Sequence, residues 1–317
     1  DPYSAYYTSE EYEELNTETT GSYKGIGVVM QMNMESGTVK VVRCYETAPG
    51  AKAGLLPEDI LVAVNNESIA GMELSEVVDK IKASEDEIAH LTIARDGEAD
   101  YLEFDIPLEE VNIPVVESEM LEDNIGYIAL YEFTEQTEPQ YMEAFKNLKK
   151  EGMERLIVDV RGNPGGLLTS VSDILKDMLP EGLIVYTEDK DGKREEIKCD
   201  GKHQLDMPLA VLVNGNSASA SEIFAGAIQD YEIGTIVGTT TFGKGIVQSV
   251  IPLSDGSAVK TTTAKYYTPK GRCIHGTGIT PDVEVELTEG LEQKTSITHE
   301  EDNQLQKAIE VVKGISK

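Results

Sequence analysis

PLAVLVNGNSASASEIFAGAIQD spans residues 208–230, and its reading decides the fold. Leu209–Val213 is a continuous apolar run, the pattern of a strand covered on both faces. Asn214–Glu222 is small and polar, with Ser217, Ser219 and Ser221 at alternate positions. SEIFAGAIQD then reads as a helix. RLIVDVRGNPGG, residues 155–166, repeats the rhythm: a buried strand, a glycine-rich loop, and a helix from Leu167 to Met178. Stacked strand–loop–helix units predict an α/β fold with a mostly parallel sheet. Sites in such sheets lie at the carboxyl ends of strands, where both polar loops fall.

The pattern extends outward from there. IGYIAL reads as a further strand, and EPQYMEAFKNLKKEG as a helix with Tyr141, Phe145 and Leu148 on one face and Gly152 at its end. After Gly245 the texture returns to β, in IVQSVIPL and SAVKTTTAKYY, before a final helix around Gln304–Val312. Residues 1–20 are polar and without a strong period. From Gly21 onward come short runs: GIGVVM, TVKVVRCYE and DILVAV as strands, AGAKAGL as a short helical turn closed by Gly54, and ELSEVVDKIKA as an amphipathic helix. HLTIARDGEADYLEFDI reads as two strands around Asp96-Gly97. This stretch predicts a small, partly open β-barrel, and the two prolines of PLEEVNIPVV mark a linker. The expected division is an N-terminal segment 1–20, a small domain 21–107 and a core 108–317.

Composition narrows the function. The 317 residues carry 58 acids against 27 bases, a net charge of −31. No basic stripe is available for nucleic-acid phosphates, and an anionic membrane would repel the chain. Cys44, Cys199 and Cys273 are few, odd in number and far apart, so they form neither a disulfide framework nor a zinc motif. No cofactor motif is present: HExxH and the phosphate-binding GxxxxGK[ST] are both absent. No stretch has the length of a membrane span, and no signal peptide is recognisable. The chain opens on DPYSAYY without Met, as a trimmed chain would, so the missing export signal carries no weight.

Two readings compete for Ser219. As an N-cap, Ser217 or Ser219 would satisfy the free N–H groups of the following helix. As a nucleophile, Ser219 would leave its oxyanion beside those same groups, as acyl transfer requires. RGNPGG favours chemistry, because its glycines let backbone N–H groups approach a ligand closely. TFGKGIVQ supplies a base. Lys244 is flanked by glycines amid apolar residues, which disfavours its charged form. If the stretch is extended, Gln248 shares a face with Lys244 and can orient its amine. His90, His203 and His299 read as surface residues, whereas His275, in a glycine-rich loop, is a rival base.

RGNPGGLL, VNGNSASASEIFAGA and GTTTFGKGIVQ, in this order and spacing, resemble the carboxyl-terminal processing proteases, the S41 serine peptidases. GSYKGIGV with ETAPGAKAGLLPEDILVAVNNESI resembles their PDZ domain, and DPYSAYY and GITPDVEV extend the similarity over nearly the whole chain. The resemblance implies a ClpP/crotonase-like core with Ser219 as nucleophile, Lys244 as general base and Gln248 orienting it. It implies oxyanion donors at Ala220 and at Gly165 or Gly166, and no cofactor. It also implies that Gly25, Ile26, Gly27 and Val28 bind the carboxylate of unstructured substrate C-termini, with Val77 and Ile81 lining a side-chain pocket. It further implies an extracytoplasmic protein, anchored to a membrane and paired into a homo-oligomer through a preceding N-terminal region. Two departures stand out: the family's N-terminal pairing helices are missing, and His275 replaces an expected polar, non-titrating residue. The alternatives are a crotonase-like acyl-CoA enzyme, which would need basic residues for CoA phosphates, and a catalytically silent PDZ scaffold.

Overall fold

Every residue of Leu209–Val213 is buried, because alternate side chains enter two different cores. Leu209, Val211 and Val213 join Leu156, Val158 and Ile128 beneath helices Thr137–Lys150, Leu168–Lys176 and Ala220–Tyr231. Ala210 and Leu212 face the opposite way with Ile125 and Ile157, against Leu305, Ala308 and Val312 of helix Asn303–Gly314. A sheet covered on both sides has no place for polar alternation, which is why these strands read as unbroken apolar runs.

The computed structural model describes residues 1–294 and 296–315. The chain divides into two units, Asp1–Gly21 with everything from Val115 onward, and Ser22–Pro114. In the larger unit the six-stranded sheet runs Val116–Leu121, Ile125–Leu130, Arg155–Asp159, Leu209–Val213, Thr235–Gly238, Val283–Glu284. Only the first pair is antiparallel. A second, antiparallel sheet is built on the long strand Ala258–Tyr267. That strand pairs with Ile246–Pro252 on one edge, and with Ala5–Tyr7 and Gly182–Asp189 on the other. Gly182–Asp189 makes a hairpin with Arg194–Cys199 that the sequence pattern does not announce, since REEIKC is largely exposed.

The N-terminal segment is not featureless. Ser9–Thr20 is a helix with no buried residue, so it has no apolar period to read. Its signals are at its ends: Thr8 and Glu11 form a reciprocal capping box, and Gly21 closes it in the left-handed region.

The smaller unit has its own core, with Val39, Leu61, Val64, Leu91, Ile93 and Ile106 at its centre. Its strand order is Val28–Met32, Val39–Cys44, Ile60–Val64, Ile88–Ala94, Leu102–Pro107, and the two end strands do not pair with each other. The sheet is therefore open. Its boundary lies beyond the expected Pro107: Glu109–Asn112 pairs with Ser22–Gly25, so the linker-like EEVN belongs to this unit. Val77 and Ile81, expected to wall an open pocket, are buried in the core instead. They are the apolar stripe that docks helix Leu74–Lys82 onto its sheet.

Candidate active site

The three alternate serines have different fates. Ser217 is fully buried; its Oγ donates to Val160 O at 2.7 Å and accepts from Asn214 N at 3.0 Å. Ser221 is equally buried and donates to Asn163 O at 3.0 Å. Val160 immediately precedes RGNPGG and Asn163 lies within it, so this arm is stapled to the serine turn. The stapling continues through Ala218 N to Asn163 O (3.0 Å) and Gly162 N to Asn214 Oδ1 (3.0 Å). Ser219 alone is left facing a cleft of about 480 Å³. Its backbone sits at φ 54°, ψ −113°, an unusual conformation for a residue with a side chain and a form of strain that gathers at functional turns.

The glycines of RGNPGG serve close approach. A Cβ on Gly165 would strike Ser219 Cβ at 2.7 Å and Ala218 O at 2.8 Å. The Gly165 N–H is spent on Asn163 Oδ1 at 2.8 Å. Phe133 donates to Gly165 O and accepts from Leu167 N, a bridge that leaves the Gly166 N–H on the other side. Among the described residues, the N–H groups of Gly166 and Ala220 have no partner, and both residues line the Ser219 cleft. Two such donors beside a hydroxyl can hold a developing oxyanion.

Lys244 lines the same cleft, half-buried. Burial, and then the neighbouring charge of Lys260, hold its amine below the ordinary lysine value. Among the described residues no hydrogen bond joins Lys244 Nζ to Ser219 Oγ. Catalytic contacts commonly tighten only once substrate is bound. Gln248 also reaches the cleft, but a bulge between Val247 and Gln248 breaks the regular alternation. Its amide nitrogen donates to Tyr3 O at 2.5 Å. His275 is exposed and lies outside the residues lining the cleft.

Comparison with known proteins is consistent with this geometry. Residues 124–285 match the model of peptidase family S41, and residues 40–95 match a PDZ domain. The carboxyl-terminal-processing protease of Synechocystis sp. is 34% identical over 99% of this chain and 74% of its own length. The carboxy-terminal-processing protease of Bartonella bacilliformis is 38% identical over 90% of this chain and 67% of its own. The chain belongs to peptidase family S41. Among solved structures, the photosystem II D1 C-terminal processing protease superposes with a TM-score of 0.54 at 32% identity. That match covers 90% of this chain and 78% of that one. The protein is thus a serine-type peptidase with an α/β core and a PDZ domain.

In this S41 peptidase one functional residue escapes the sequence pattern. Glu222 is fully buried, and its carboxylate accepts from Ser219 N (2.9 Å), Lys244 N (2.8 Å), Gly243 N (2.7 Å) and Thr241 Oγ1 (2.6 Å). It ties the nucleophile turn to the lysine loop. Tyr266 makes a second tie, its hydroxyl placed to donate its one proton to Ser219 O or Lys244 O. The available signal was the spacing Ser219-x-x-Glu222, the pattern of a capping box.

In the PDZ domain, Gly27 alone of Gly25–Val28 has positive φ, +72°. Gly50 N and Tyr45 N hold the loop by donating to Ile26 O (2.8 Å) and Gly27 O (3.0 Å). The next strand, Val28–Met32, pairs on one edge only.

Proposed function

We propose that this peptidase removes or trims C-terminal tails of protein substrates by a Ser–Lys acyl-enzyme route. The observation that carries the reading is the sorting of the serines: Ser217 and Ser221 are buried and bonded, while Ser219 faces the cleft that also holds Lys244. Neutral Lys244 takes the Ser219 proton as Oγ attacks the scissile carbonyl carbon. The carbonyl π electrons move to oxygen, which the Gly166 and Ala220 N–H groups stabilise. Collapse of the tetrahedral adduct breaks the C–N bond, and the leaving amine takes the proton back from Lys244. Water, deprotonated by Lys244, then hydrolyses the ester and frees Ser219. Gln248 assists by presenting its amide to the amine. The PDZ domain supports tail recognition through the Gly25–Val28 loop and the free edge of Val28–Met32, to which an extended peptide can add as a strand. A silent scaffold would have no reason to keep Ser219 and Lys244 in one cleft. We propose an extracytoplasmic site of action as well, as the resemblance to carboxyl-terminal processing proteases implies.

A fluorophosphonate probe followed by mass mapping tests the core of this reading. The label is expected on Ser219, and Ser219→Ala is expected to lose both label and hydrolysis by several orders of magnitude. Ser217→Ala, which loses two buried hydrogen bonds, and Ser221→Ala, which loses one, should keep the label and melt earlier, at about 1 kcal/mol per bond. Labelling of Ser221 in place of Ser219 would move the nucleophile.

A further inference from the structure

We infer that Tyr3 and Tyr7 buttress residues that line the catalytic cleft, and that Tyr3 is the positioning residue for the Lys244 base. This rests on the Ser219–Lys244 reading above. The Tyr3 carbonyl accepts from Gln248 Nε2 at 2.5 Å, and its ring centroid lies 5.4 Å from Lys244 Nζ. Four residues on, the Tyr7 ring lies 5.0 Å from Nζ of Lys260, the second lysine of the cleft. One short segment therefore touches three cleft residues drawn from two strands and a loop.

The segment is held in place at three points. Ala5, Tyr6 and Tyr7 pair with Lys260, Val259 and Ala258. Asp1 closes a turn by accepting from Tyr3 N at 3.0 Å and Ser4 Oγ at 3.3 Å. The capped helix Ser9–Thr20 follows and itself sends Leu15, Glu18 and Thr19 to the cleft.

The chemistry gives the contact a direction. A backbone carbonyl only accepts, so Gln248 must turn its nitrogen to Tyr3, which leaves its amide oxygen as the acceptor for a lysine amine. The Tyr3 ring lies beside the amine and is placed to shield it from water. The ring face also attracts an ammonium, by about 0.5–1 kcal/mol at a partly exposed site. Burial is the first cause of the lowered Lys244 pKa, and the Tyr3 ring is placed to add to it. The other groups around Lys244 are Lys260, the Tyr266 hydroxyl on its carbonyl, the Glu222 carboxylate on its amide, the His275 backbone packed on Gly245, and the carboxylates of Glu18 and Glu132, which line the same cleft.

The test is the pH–rate profile of peptide hydrolysis. Tyr3→Ala should move the rising limb upward by about one pH unit, a loss of about tenfold below the midpoint. Tyr3→Phe, which keeps ring and carbonyl, should restore the parental midpoint. Deleting residues 1–7 should also lower the alkaline plateau, because Gln248 loses its anchor. Tyr6→Ala, an exposed residue of the same short strand, controls for general damage to the segment. An unmoved midpoint in Tyr3→Ala, or a plateau unchanged by the deletion, overturns the inference. Lys244→Ala, run beside them, separates the two failures: an active Lys244→Ala would sink the Ser–Lys reading itself.

Discussion

Lys244 shows how a residue can serve chemistry at a cost to the fold. Its amine titrates below the ordinary lysine value because burial and Lys260 both penalise the charge. In the unfolded chain it returns to about 10.4. Between the depressed folded value and that figure the unfolded state binds more protons, so stability rises with pH across this window. Below the window the whole penalty is present. Lys244→Met is therefore expected to abolish hydrolysis and to melt at or above the parental temperature at neutral pH. The difference should shrink toward pH 10. Calorimetry at the two pH values checks this, and a variant that melts well below the parent at neutrality would show that Lys244 stabilises the fold. Ser219 is a second residue of this kind, holding a left-handed backbone that only the stapled turn around it can enforce.

At the scale of elements, the site is a junction between two strand ends and a loop, and Glu222 is where they meet. Its carboxylate takes four hydrogen bonds, three from main-chain N–H groups of the Ser219 turn and the Gly243–Lys244 loop. Glu222→Gln keeps the volume but turns an NH₂ toward one or more of those donors, leaving buried N–H groups unpaired at about 1–3 kcal/mol each. A fall in kcat of roughly 10–100-fold with little change in KM is expected, since a 1 Å displacement of catalytic groups costs about that much. Thr241→Val should be milder for kcat, since it leaves the three main-chain bonds to Glu222 in place, though it also removes the acceptor of the buried Ile279 N–H. A Glu222→Gln enzyme of parental kcat would show that the tie is dispensable. The sequence announced this residue only through the Ser219-x-x-Glu222 spacing, because a glutamate in a first helical turn also reads as a cap or a partner of the helix dipole. Its burial depends on Thr241–Lys244 folding over it. The apolar strands were legible for the opposite reason: Leu209–Val213 and Arg155–Asp159 carry their two-sided burial in their own composition. The choice among the three serines was only partly legible, since the groups that immobilise Ser217 and Ser221 come from Val160 and Asn163 in another unit of the sheet.

For the whole molecule, the decisive question is whether recognition and cleavage divide between the two units. The PDZ domain has a core of its own and one strand, Val28–Met32, whose outer edge is unpaired. Before it stands the Gly25–Val28 loop, whose shape depends on Gly27. A Cβ there would lie 2.1 Å from Ala48 Cβ, and φ +72° is costly for any side chain. In this acidic chain a substrate carboxylate is best received by main-chain N–H groups, which need no basic residue. A peptide with a free C-terminus should therefore be cleaved with a kcat/KM about tenfold or more above that of its C-terminal amide, the scale of one charge-assisted hydrogen bond. Gly27→Ala should abolish that preference by lowering the rate on the acid toward that on the amide, with fluorophosphonate labelling of Ser219 kept as proof of an intact catalytic cleft. Equal rates on acid and amide in the parental protein would remove carboxylate capture from the mechanism. A preference that survives Gly27→Ala would place the capture elsewhere in the chain.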